Sequence, residues 1–380
     1  MIIQSNKVWV AGQFIKAQIE FIDGKISNVF PYNEKPVDVD YEDNRILPGF
    51  IDVHCHGAYG FDVNYALHDG LVNWLEKLPS EGVTSFCPTT ITQGEDVLIK
   101  ALENIVVVKE ENHKGAQIVG IHFEGPYLDE VYKGAQPLEH IRKPSIEQFK
   151  KFQKASNNLI RIITLATERD ENFELTKYCS ENNINVSIGH SASTFEQAFL
   201  AIANGARSMT HVYNGMSGFT HRANGLVGAA FRSDGVFAEI IADGNHSTID
   251  AVATLYKAKG KDHVVMITDS LMCKGSPVGS KFMFGGHEIE IYPDGSAHLI
   301  EGNKSLAGST LKVNNGLRIL IEEANVPIES AINSCTINPA TLLKINDHKG
   351  KLYTGYDADI TILDDDYNVI QTYCLGNKML

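Results

Sequence analysis

The chain has 380 residues, 43% of them hydrophobic, enough for a large core with an accessory domain. Its 47 acidic against 33 basic residues give a net charge of −14. That excludes a broad basic face for nucleic acid or an anionic membrane, but not a small anionic ligand held at one local basic spot.

Residues 1–48 are short apolar runs broken by Gly, Asp, Asn and Pro. Lys7–Val10, Ile15–Ile22 and Ile26–Val29 read as antiparallel strands, with Asp23-Gly24 as a tight turn. The N-terminal segment MIIQSNKVWV lacks the basic flank and apolar stretch of a leader. No run reaches the length of a membrane span.

From 49 to 345 the texture alternates. β-rich runs fall at Phe50–Val53, Val83–Phe86, Ile118–His122, Ile160–Leu165, Asn185–Ile188, Arg207–Thr210, Phe237–Ala242 and His263–Thr268. Helical patterns such as Leu71–Leu78, Glu95–Lys109, Phe195–Ala203 and Asp250–Lys257 lie between most of them. Eight strands with helical crossovers predict an α/β chain built as a (β/α)₈ TIM-like barrel over 49–345. Phe282–Phe284, His287–Ile291 and Ser296–Ile300 read as a hairpin excursion after the last strand. Asp359–Leu363 and Val369–Tyr373 return to strand texture. The two ends, 1–48 and 346–380, are therefore expected to form one small β-sandwich domain. Six scattered cysteines, at 55, 87, 179, 273, 335 and 374, show no CxxC spacing and fit reduced thiols in a cytoplasm.

The polar residues gather where barrel enzymes do chemistry, at the C-terminal ends of strands. Strand 1 runs into His54 and His56, two apart and so on one face. Strand 3 ends in His122-Phe123-Glu124, strand 5 in His190, strand 6 in His211 and strand 8 in Asp269. Each has an ordinary structural explanation: a satisfied core histidine, a turn carboxylate, a cap. Five independent coincidences at strand ends outweigh those explanations taken together. His122 is read as standing behind the ligands. The histidines at 68, 113, 140, 263, 287, 298 and 348 lie away from strand ends and are read as surface residues.

Imidazole and carboxylate together suit zinc, iron, manganese or cobalt rather than calcium. A bound cation can lower the pKa of its water from about 15.7 to roughly 7, and a nearby aspartate can take that proton and later pass it on. That is hydrolysis at an amide, ester or amidine carbon. GxSxG, P-loop and dinucleotide fingerprints are absent.

At these residues the chain resembles the amidohydrolase superfamily. The run LPGFIDVHCH at 47–56 is similar to its strand-1 signature, and GKLYTGYDADITIL at 350–363, preceded by NPA at 338–340, to its C-terminal one. GIHFEGP (120–126), IGHS (188–191), THVYNGM (210–216), DGNH (243–246) and Thr268-Asp269 follow the order of the N-acetylglucosamine-6-phosphate deacetylase family within it.

The resemblance implies that Glu124, His190 and His211 hold a divalent metal ion. It implies that His54 and His56, with Glu124 as a bridge, can hold a second, giving one or two per subunit. Asp269 is implied as general base, then acid, around attack by metal-bound hydroxide, and His246 as the group that polarises the acetyl carbonyl.

Asn214 and Gly215 resemble the phosphate-contacting pair. His221-Arg222 resembles the segment whose arginine reaches the neighbouring site in a homodimer. Leu306, Ala307 and Gly308 resemble the stretch closing over the sugar. Gln136 stands where some members have histidine.

The implied reaction is deacetylation of N-acetyl-D-glucosamine 6-phosphate in amino-sugar catabolism. Rivals are the galacto epimer, a cyclic-amide or aminoacylase-type amidohydrolase, against which Arg222 argues, and a non-catalytic scaffold on the same fold.

Overall fold

The computed structural model describes residues 1–111, 113–301 and 304–380. Eight parallel strands form the barrel: Phe50–Cys55, Val83–Thr90, Ile121–Glu124, Ile160–Leu165, Asn185–Ile188, Ala206–Met209, Phe237–Ile241 and Val264–Ile267. The first strand pairs with the second, and each later strand with the one before it. Closure between the eighth and first strands is made just past the strand ends. The Asp269 amide donates to the His54 carbonyl at 2.8 Å, and Cys55 bridges Ser270 in parallel.

Because the strands are covered on both sides, they are almost wholly buried and rich in Ile, Val and Phe. Helices cross between successive strands, among them His68–Lys77, Glu95–Glu110, Phe195–Ala203 and Ile249–Lys259. Phe195–Ala203 starts where expected because Thr194 and Gln197 form a reciprocal capping box. No helix among the described residues is long and apolar enough to cross a membrane.

The third strand departs from the sequence expectation. Gln117–Ile118 pairs with the second strand, and the ladder then breaks before resuming at Ile121–Glu124. A Cβ on Gly120 would meet Arg161 Cγ at 2.7 Å, so only glycine fits this break. The displacement carries Glu124 to the end of the strand, facing the barrel mouth.

The two termini share one sheet. Its order runs from Asn377–Lys378 through Val369–Cys374, Ile360–Leu363, Arg45–Pro48 and Ile2–Val10 to Gln13–Ile22 and Lys25–Pro31. The first strand begins at Ile2, five residues before the reading at Lys7. Lys25–Pro31, the last strand in this order, curls back onto the segment that leads into Ile360–Leu363: Lys25 bridges Asp357 and the Ile26 amide donates to the Tyr356 carbonyl at 2.8 Å. The two faces of the expected sandwich are thus supplied by one rolled sheet around Ile3, Val8, Ile19, Phe21, Ile46, Ile360 and Ile362.

The C-terminal motif explains itself here. Asp359 accepts from the Lys349 ammonium at 2.5 Å and from the Leu375 amide at 2.8 Å, and Lys349 also pairs with Asp357 at 2.9 Å. This buried cluster pins the end of the barrel to the rolled sheet.

A second buried pair ties the segment after the eighth strand to the approach to the second. Lys274 Nζ lies 3.0 Å from Glu81 Oε2, both side chains fully buried, and Tyr59 donates to Glu81 Oε1 at 2.6 Å. Breaking one partner leaves a buried charge unpaired, which costs about 3–5 kcal/mol. Lys274→Met is expected to lower the unfolding free energy by that order, read as a lower urea midpoint at unchanged m. Adding Glu81→Gln should recover part of the loss. Equal midpoints for wild type and Lys274→Met would show that the pair contributes nothing.

Candidate active site

Glu124 is the centre of the barrel mouth. Its side chain is buried. Oε1 lies 3.5 Å from His190 Nε2, 3.4 Å from His211 Nε2 and 3.5 Å from His54 Nε2. Oε2 lies 3.3 Å from His56 Nε2 and accepts from Gln136 Nε2 at 2.7 Å. The strand ends thus bring Glu124, His190 and His211 together as one set, and His54, His56 and Asp269 as a second beside it. Asp269 Oδ1 is 3.1 Å from His56 Nε2 and 3.6 Å from His54 Nε2.

The opposite ring nitrogen of each histidine is tied back. His190 Nδ1 meets the Tyr132 carbonyl at 2.8 Å, His211 Nδ1 that of Asn214 at 3.1 Å and His56 Nδ1 that of Thr89 at 3.1 Å. His54 Nδ1 meets Glu239 Oε2 at 3.0 Å. A carbonyl or carboxylate can only accept, so each Nδ1 carries a proton, and Nε2 is the nitrogen that faces inward and can offer its lone pair to a cation once deprotonated. His190 and His211 meet Nε2 to Nε2 at 3.2 Å, and His54 Nε2 and Glu124 Oε1 are buried with no hydrogen-bond partner. Converging lone pairs and orphaned acceptors of N and O type fit a divalent cation of the zinc class.

Burial works against a charged His54 or His56, but Glu124 and Asp269 overcome it and push their pKa values up to about 9 and about 10. Burial likewise opposes ionisation of Asp269, and His54 and His56 hold its carboxyl well below the usual range. Glu124 is held low in the same way against its own burial, by His54 and then by His190, His211 and His56. His122 behaves differently. Burial and the neighbouring His54 push it well below the ordinary histidine value, and it bonds to the Val53 carbonyl and Thr164 Oγ1. It supports His54, 4.4 Å away ring to ring, from behind.

Three of these residues sit just beyond the regular strands. His190, His211 and Asp269 each follow a strand by two residues and have φ of 47°, 29° and 49°. Non-glycine residues in this left-handed region cost about 1–3 kcal/mol each. The kink ends the sixth and eighth strands one residue sooner than the sequence reading, leaves the fifth ending at Ile188 as expected, and turns each side chain into the mouth.

A cavity of about 280 Å³ opens over the site, lined among others by Gln136, Asn214, Gly215, His246, Phe284 and Leu306. Gly308 also lines it, whereas Ala307 is buried against the hairpin core and does not face it. Gln136 is held at both ends, its Oε1 accepting from the Thr92 amide at 2.7 Å. It steadies Glu124 as well as lining the cavity. Asn214 Nδ2 is buried without a partner, a donor free for a ligand. A Cβ on Gly215 would meet His190 Nδ1 at 2.7 Å, so glycine is required for His190 to reach Tyr132.

His246 keeps Nδ1 on Asp243 Oδ2 at 2.7 Å. Burial opposes its protonation, and Asp243 more than offsets this and raises its pKa. His221 and Arg222 are exposed and do not line the cavity of their own chain.

Sequence reading missed Glu239, fully buried in the seventh strand, and Asp52, which accepts from Thr268 Oγ1 at 2.6 Å. A lone carboxylate inside the apolar run Phe237–Ile241 was the available signal for Glu239. Asp243 lay inside the DGNH motif without being assigned its own part.

Comparison with known proteins adds four findings. The sequence pattern of the amidohydrolase family matches residues 45–379. The N-acetylglucosamine-6-phosphate deacetylase of Bacillus subtilis (strain 168) is 40% identical over 362 residues, 93% of this chain and 90% of that protein. The N-acetylgalactosamine-6-phosphate deacetylase of Escherichia coli O157:H7 is 33% identical over 360 residues, 94% and 93% respectively. Among solved structures, the N-acetylglucosamine-6-phosphate deacetylase of Pasteurella multocida superposes with a TM-score of 0.92 at 28% identity. That match covers 100% of this chain and 99% of the other.

The raised histidine values fix a sign. At pH 7 an incoming cation must displace the protons on His54 and His56, so binding releases protons and affinity rises with pH until about 9 to 10. Titrating the metal-free protein with Zn²⁺ by calorimetry in buffers of different ionisation enthalpy should show this release. A binding heat independent of buffer would contradict it.

Proposed function

The chain belongs to the amidohydrolase family, and on that premise we propose that it removes the acetyl group of N-acetyl-D-glucosamine 6-phosphate, giving D-glucosamine 6-phosphate and acetate. The observation that carries this reading is one shared cavity wall. The Glu124–His190–His211 set and Asp269 stand side by side there, with the His246 ring and the free Asn214 amide also facing the cavity.

Glu124, His190 and His211 would hold one divalent ion, and His54 and His56, sharing Glu124, a second. The ion supplies Lewis-acid polarisation and brings the pKa of a coordinated water down toward about 7. Asp269, kept ionised by its histidine neighbours, takes the proton of the attacking water as the C–O bond forms. It returns that proton to nitrogen as the C–N bond breaks, so the amine leaves neutral; the second water proton stays on the new carboxyl group, which then ionises to acetate and gives that proton up to solvent or the amine. His246, fixed through Nδ1 by Asp243, offers Nε2–H to the carbonyl oxygen as negative charge develops there. Asn214 Nδ2 and the Gly215 backbone are assigned to the phosphate. Arg222, exposed on its own subunit, is assigned to the phosphate of the neighbouring site in a homodimer.

The relative that acts on the galacto epimer supports a second reading of the same chemistry. The higher identity of the relative named for the gluco substrate, 40% against 33%, favours the first.

Asp269→Asn is expected to retain its metal by elemental analysis while kcat for acetate release falls by about 10²–10⁴. Turnover near wild type in that variant would remove Asp269 from proton transfer. Arg222→Ala should raise KM for the phosphorylated sugar with little change in kcat. Paired kinetics on the two epimers should give the larger kcat/KM for the gluco form, and the reverse order would reassign the substrate.

A further inference from the structure

Two histidines read from the sequence as plain surface residues do not stand apart. His68 opens the helix His68–Lys77. Glu111 and His113 follow the end of the helix Glu95–Glu110. His68 Nε2 lies 2.7 Å and His113 Nε2 2.6 Å from the same oxygen, Glu111 Oε2. The far side of the His68 ring is also held, its Nδ1 lying 2.9 Å from Asp69 Oδ1. The two rings are 6.1 Å apart at 65°. None of these residues lines the catalytic cavity.

Hydrogen bonds among partly exposed side chains contribute little on their own, and holding three side chains in one arrangement costs conformational entropy. The same arrangement is what a cation needs. Two imidazole Nε2 atoms and a carboxylate oxygen converge, and a carboxylate behind one histidine fixes its tautomer. The ligand atoms lie within 4.8 Å of one another. A tetrahedral zinc ion with bonds of about 2.0–2.1 Å needs its ligand atoms roughly 3.3 Å apart, within reach of small rotations of these side chains.

We propose that His68, Glu111 and His113 form a further metal site, outside the catalytic mouth, that takes a divalent ion of the zinc class and clamps the start of the first barrel helix to the end of the second. Two imidazoles with one carboxylate select zinc, cobalt or nickel over calcium and magnesium. Three protein ligands leave a fourth position to water, so the ion is exchangeable. Asp69 acts behind His68 and does not bind the ion.

The test is equilibrium dialysis of the whole protein against a graded series of free Zn²⁺, followed by elemental analysis, for wild type, His113→Ala and Glu111→Gln. Wild type is expected to bind one zinc more per chain than either variant. Acetate release should be unchanged in both variants, which also shows that they fold. Asp69→Asn should keep the extra ion but bind it about 10-fold more weakly. His190→Ala, altered in the catalytic set, should still bind the ion that His113→Ala loses. Equal zinc content in wild type and His113→Ala across the series overturns the proposal. So does loss of the extra ion in His190→Ala with its retention in His113→Ala.

Discussion

A single carboxylate, that of Glu124, sets the terms for the barrel mouth. It is 1% exposed and has four imidazole nitrogens within 3.5 Å. A buried charge of this kind is tolerated only when opposite charge or hydrogen bonds surround it. Histidines supply that compensation from the ends of strands one, five and six, and Gln136 adds a donor from the loop above. Each histidine is then fixed by its own acceptor, so the requirement spreads outward to Tyr132, Asn214, Thr89 and Glu239.

Closure of the barrel and the candidate site meet at the same place. The Asp269 amide completes the seam with His54, and its carbonyl accepts from the Ser309 amide at 2.8 Å. Its neighbour Thr268 is anchored to Asp52 in the first strand. These bonds over-determine a residue whose φ of 49° is unfavourable by itself. Strain at Asp269 is thereby held by the bonds of the barrel seam, and the fold itself aims the carboxylate into the mouth.

Much of this was legible in the sequence because it depends on local pattern. Strand texture located all eight barrel strands, and the strand-end positions of His54, Glu124, His190, His211 and Asp269 marked the site. What escaped depends on pairing between distant segments. Nothing near Glu239 shows that it faces His54, 185 residues away, and nothing near Lys274 shows that Glu81 lies opposite. Local pattern also ran strands six and eight one residue too far, to Thr210 and Thr268, because the strand texture continues up to the residue whose φ has turned. His68 and His113 were read singly, and only the packing of two helix ends brings them to one carboxylate.

The loop over the mouth couples two properties that are usually discussed apart. Asp129 donates its amide to the His190 carbonyl at 2.8 Å, Tyr132 accepts from the His190 ring, and Gln136 donates to Glu124. The same short segment lines the cavity through Gly134, Ala135 and Gln136. Changes that reshape the cavity along this segment therefore also move two candidate metal ligands. Loop exchange along this segment, whether by evolution or by design, cannot reshape the cavity wall without also disturbing the bonds that hold His190 and Glu124 in place.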